Sequence, residues 1–80
     1  MKEKLERVYD RLQKDYEDLE SIIEALEEKQ QTIYDRADER DRDLTEREEE
    51  KVSEIEETID SLREILEQIE EAQRGLEYLY

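Results

Sequence analysis

Apolar residues return along this chain at steps of four and three, from Leu5 through Tyr9, Leu12, Tyr16, Leu19, Ile23 and Leu26, and past Gln30 to Ile33. A second series runs from Val52 through Ile55, Ile59, Leu62, Leu66, Ile69, Gln73 and Leu76 to Tyr80, with the step order reversed. Such alternation averages three and a half residues, which draws a narrow stripe along one side of an α-helix, the seam of a coiled coil. No proline interrupts either series, and the one glycine, Gly75, stands near the end. The pattern predicts a single all-α domain of residues 1–80, with helices over 2–40 and 46–79 and a turn or charged waist at 41–45.

The reversed step order carries the topology. When residues whose numbers add to 85 are paired, the two seams superpose: Leu5 with Tyr80, Tyr9 with Leu76, Leu12 with Gln73, Tyr16 with Ile69, and so on to Ile33 with Val52. In heptad letters each a position then meets a d position, as antiparallel helices require. The expected fold is therefore an antiparallel coiled coil whose midpoint falls in the most polar stretch of the chain, RADERDRDLTEREEE.

Two architectures satisfy that pairing, a helical hairpin and an antiparallel dimer of one unbroken helix of about 75 residues, since each is the domain-swapped form of the other. Charge and caps favour the hairpin. Arg36, Arg40 and Arg42 would end the first helix and Glu46, Glu48, Glu49 and Glu50 would begin the second, each sign at the helix end that attracts it. Thr45 and Glu48 have the spacing of a capping box. In favour of the unbroken helix, no Gly, Pro or Asn marks a turn, and Ile22, Ile33, Leu44, Ile55 and Leu66 recur every eleven residues through the middle. The i,i+4 pairs Asp38–Arg42 and Asp43–Arg47 would also support continuous helix.

The register sorts the residues that flank the seam. In an antiparallel pair the g positions of both helices share one flank and the e positions the other. The g flank carries Val8, Ile22, Ile65, Ala72 and Leu79, interrupted by Asp15, Lys29 and Thr58, and is read as the seam of a homodimer that joins two hairpins into a four-helix bundle. The e flank carries Glu6, Gln13, Glu20, Glu27 and Tyr34 opposite Glu56, Arg63, Glu70 and Glu77, so it is acidic. Tyr9 and Tyr16 are expected at the core edge with their hydroxyls turned out, and the ending GLEYLY either stops at Gly75 or continues the helix.

Composition narrows the chemistry. With 28 acidic and 13 basic residues the formal net charge is −15, which opposes direct binding to nucleic acid or to an anionic membrane surface. No apolar run approaches the ~18 residues of a membrane span, and a soluble, intracellular (cytoplasmic) protein is expected. The chain has no His, Cys or Trp and no glycine-rich loop, so nucleophilic triads, thiolate metal sites and phosphate cradles are excluded. No catalytic residue, metal ligand or cofactor is expected. Asp41, Asp43 and Thr45 alternate as in a calcium loop, but Glu46 and Val52 stand where such a loop needs a glycine and a bidentate acid.

The negative charge is gathered rather than interspersed. Residues 15–28 hold seven acids and no base, and the register lays them beside 57–70, so that Glu27 is expected to face Glu56. Glu20, Glu27, Glu56, Glu67 and Glu70 form the candidate face for a basic protein partner. Two functions are compatible with these features. One is a coiled-coil interaction or assembly module; the alternative is an acidic DNA mimic that occupies a basic nucleic-acid-binding protein. At one phosphate per ~1.7 Å of duplex, only a dimer of hairpins would match the charge density of DNA.

Overall fold

The computed structural model describes residues 1–79. These form α1 (Lys2–Glu39) and α2 (Glu46–Glu77), which run antiparallel as a helical hairpin 60 Å long and 16 by 14 Å across. The unbroken helix is thus replaced by a reversal at residues 40–45. Helix α1 ends one residue before the expected boundary and α2 two residues before its own, with Tyr78 as cap.

The turn is built without glycine. Asp41 takes the left-handed backbone conformation with φ 50°, which a short polar side chain tolerates better than most. Its N–H bonds the carbonyl of Asp38 at 3.0 Å and the N–H of Arg42 bonds that of Ala37 at 3.1 Å. This is the Schellman arrangement, which satisfies carbonyls that a helix end would otherwise leave open. Three residues later Thr45 caps α2: its hydroxyl accepts from the N–H of Glu48 at 3.1 Å, and the Glu48 carboxylate accepts from the N–H of Thr45 at 2.9 Å. Arg42 closes the loop by donating both guanidinium nitrogens to Glu48, at 2.6 and 3.3 Å. In the hairpin that forked bond engages Arg42 where continuous helix would have offered it Asp38.

Along the seam, Ile23, Ile55 and Ile59 form a buried cluster against which Leu26, Ile33, Leu62 and Leu66 pack. Ala37 extends the a positions one heptad beyond Gln30 and is buried beside the turn. Val52, Ile69 and Gln73 are buried as well. The core is thin, since among the described residues no side chain falls below 2% exposure. Gly75 lies inside α2 without a positive φ and so does not stop the helix. The expected pairing of Leu5 with Tyr80 lies outside the described residues.

Candidate functional site

The hairpin offers two long edges, one on each side of the seam, and the seam's polar residues distinguish them. Tyr9, Tyr16 and Gln30 occupy a positions of α1, and Gln73 occupies an a position of α2. Tyr9 Oη donates to Glu77 Oε1 at 2.9 Å, Tyr16 Oη to Glu70 Oε1 at 2.7 Å, and Gln30 Nε2 to Glu56 Oε1 at 3.2 Å. Gln73 Nε2 returns the pattern by donating to Gln13 Oε1 at 3.0 Å and to the Tyr9 carbonyl at 3.5 Å.

These bonds share one geometry. Each polar a residue sits opposite the d residue with which its number adds to 85, and it donates to the e residue that follows that d residue. Tyr16, for instance, faces Ile69 and bonds Glu70. The tyrosine hydroxyls therefore point to the rim but end on carboxylates of the other helix. Because the phenol donates to Glu70, burial and the charges of Glu70 and Glu20 only adding to the effect, the Tyr16 pKa is raised above 10.0.

The acidic edge is accordingly bonded to itself. Glu27 and Glu56 line one shallow groove, together with Gln30, Asp60 and Arg63, and each has a further partner there. Arg63 reaches Glu27 at 3.8 Å, and Glu56 takes the amide of Gln30. Glu70, already holding the Tyr16 hydroxyl, lies 3.9 Å from Arg74 one turn along its own helix. Of the candidate face, Glu20 is exposed at an e position and Glu67 lies one position further round, on the outer side of α2.

Among the described residues, the other edge shows no such bonding between the helices. Val8 is 41% exposed, Ile22 48%, Ile65 41% and Leu79 67%, and Ala72 is exposed beside them. Apolar side chains of this size forfeit roughly 1.5–3 kcal/mol each when left in water rather than buried. Both helices contribute, because the register sets Val8 beside Leu79 and Ile22 beside Ile65. Toward the turn the same flank changes character: Leu26, Lys29, Lys51, Glu54, Ile55 and Thr58 line a groove across the two helices. Arg36 extends the g positions of α1 a heptad beyond Lys29, and Lys51 begins those of α2. Sequence reasoning overlooked Arg36 and Lys51 as members of this flank, although carrying the heptad one step past the apolar residues would have placed them there.

At the turn, Glu48 is held well below the ordinary carboxylate value of 4.5, at about 2, by its bond to Arg42 first and by the Thr45 N–H second. Arg42 is raised in return by the same bond to Glu48. This pair closes the loop, with Glu48 also lining a shallow groove beside Ile33, Arg36 and Lys51 and Arg42 lining another beside Asp38, Asp41 and Asp43. Among the described residues no three carboxylates are placed to hold a metal ion, and no helix is long and apolar enough to cross a membrane. No protein-family model, no curated protein and no solved structure matches the chain, so its function has to be read from these two edges.

Proposed function

We propose that the protein is a non-enzymatic coiled-coil assembly module that pairs with a second copy of itself through the g edge to make a four-helix bundle. The observation that carries this reading is the row of exposed apolar side chains, Val8, Ile22, Ile65 and Leu79, on one edge of a two-helix core that is itself too thin to enclose them. A hairpin of this length needs further apolar burial to offset the entropy of ordering its chain, and a second hairpin supplies it. The apolar row lies along one edge of a hairpin 60 Å long, and a second copy packed along that edge has room to approach the ~800 Å² a side of a stable interface.

The alternative, an acidic surface that occupies a basic nucleic-acid-binding protein, draws on the net charge of −15. Of the carboxylates that would carry it, Glu56 and Glu70 accept hydrogen bonds from the opposite helix and Glu27 faces Arg63. The self-association reading rests instead on apolar side chains that the hairpin leaves 41–67% exposed. Light scattering at micromolar concentration tests it. Two chains per particle are expected, falling to one in Ile22→Glu/Ile65→Glu with helicity retained. A single-chain mass for the unmodified protein would refute the proposal.

A further inference from the structure

The g edge reads as five rungs: Val8/Leu79, with Leu79 just past the end of α2, then Asp15/Ala72, Ile22/Ile65, Lys29/Thr58 and Arg36/Lys51, each with one residue from α1 and one from α2. Successive rungs are one heptad, roughly 10.5 Å, apart. The middle rung is the apolar pair Ile22/Ile65. An acid stands one rung toward the open end and a base one rung toward the turn. The three inner rungs are thus antisymmetric in charge about Ile22/Ile65, and the outermost rungs set a neutral apolar pair against two cations.

We infer that two copies pair face to face in opposite directions, about a twofold axis through the Ile22/Ile65 rung, so that Asp15 of each chain meets Lys29 of the other. This rests on the self-association proposed above and goes beyond it by fixing the orientation. A twofold axis lying in the interface across the helices sets α1 against α1 and α2 against α2, each pair antiparallel. Ile22 then meets Ile22, Ile65 meets Ile65, and Asp15 meets Lys29 twice. Val8 and Leu79 fall under Arg36 and Lys51, whose aliphatic stems cover apolar surface while their charged ends stay in water.

The competing arrangement has the axis along the helices and both turns at one end. It sets Arg36 of each chain on Lys51 of the other, gathers four cations in one rung, and leaves Asp15 opposite Ala72. Opposed charges across an interface fix orientation mainly by penalising the wrong one. Here the penalty falls on the same-direction pairing.

Charge reversal in the full chain tests this orientation by sedimentation. In the inferred dimer, Asp15→Lys or Lys29→Asp alone turns two attractive pairs into repulsive ones and should weaken association about tenfold. The double variant restores both pairs in reverse and should recover most of the loss. Ile22→Cys, placed on the axis of a chain without native cysteine, should oxidise to a disulfide-linked dimer. Single variants that do not weaken association, or a double variant no better than the singles, overturn the inferred direction. If the dimer nevertheless dissociates with Ile22→Glu/Ile65→Glu, the assembly reading survives and only the orientation falls. A dimer indifferent to those two changes, or no dimer at all, overturns both.

Discussion

The two edges of the seam are built from the same heptads and differ in what stands beside them. On the e edge, tyrosine and glutamine side chains reach out of the core and end on residues of the opposite helix, so the polar rim is used up in fixing the hairpin's register. On the g edge the flanking side chains are apolar or singly charged and look outward. A polar residue at an a position specifies register at some cost in stability. The two edges thus differ within the hairpin: side-chain bonds between the helices line the e edge, and partly exposed apolar side chains line the g edge.

The largest expected effect removes the core common to both edges. Ile59 is 4% exposed within the apolar cluster, and Ile59→Ala should cost about 2–4 kcal/mol, a large share of what a small domain has. Circular dichroism should show loss of helix at room temperature or a broad transition well below that of the parent. A midpoint unchanged within error would mean that the cluster is not the core.

Next in size is the effect that separates the edges. Association raises the thermal midpoint with protein concentration, because partner binding stabilises the folded form by mass action. Ile22→Glu/Ile65→Glu should abolish that dependence, whereas Tyr16→Phe on the other edge should keep it while lowering the midpoint at every concentration. The comparison fails if the two variants behave alike.

Smaller effects are read through pH. The Tyr16 phenol is raised in the folded state by its bond to Glu70, so that bond contributes stability that is complete below pH 10 and lost as pH climbs through the raised value. The difference in midpoint between the parent and Tyr16→Phe should therefore shrink above pH 10. Glu48 gives the opposite sign at the turn. Its folded value is lowered from 4.5 to about 2, so its contribution is present above pH 4.5 and disappears as pH falls toward 2. The midpoint difference between the parent and Glu48→Gln should close over that window, and a difference that persists at pH 2 would place the contribution elsewhere.

Much of this was legible before any coordinates. Apolar steps gave the two helices and their antiparallel sense, and pairing to a sum of 85 placed Tyr16 opposite Ile69 and Gln30 opposite Ile55, where the structure has them. Thr45 and Glu48 announced the capping box that begins α2. The turn itself was not legible, because Asp41 adopts a backbone conformation that its residue type permits but does not announce. Glu27 and Glu56 do share a groove on the e edge, but the partners each one takes there were not legible, for a related reason. Heptad letters place Cβ atoms on a flank, but the reach of Arg63 and the donor of Gln30 decide which atoms meet. Charge counting found the acidic edge and could not reveal that Glu56, Glu70 and Glu77 accept hydrogen bonds from the opposite helix.

The closed turn has a kinetic consequence. Arg42 and Glu48 are six residues apart, whereas the bond from Gln30 to Glu56 spans 26, that from Tyr16 to Glu70 spans 54, and that from Tyr9 to Glu77 spans 68. Closing a short loop costs the least chain entropy, and each contact formed shortens the loop that the next must close. The hairpin is therefore built to zip from its turn, with Arg42, Thr45 and Glu48 as the starting clasp. Unzipping should begin at the opposite end, where Leu5, Tyr9 and Leu12 are only half-buried. Amide hydrogens of the seam near Ile33 and Val52 should exchange with solvent more slowly than those near Leu12 and Gln73, in a gradient that follows distance from the turn.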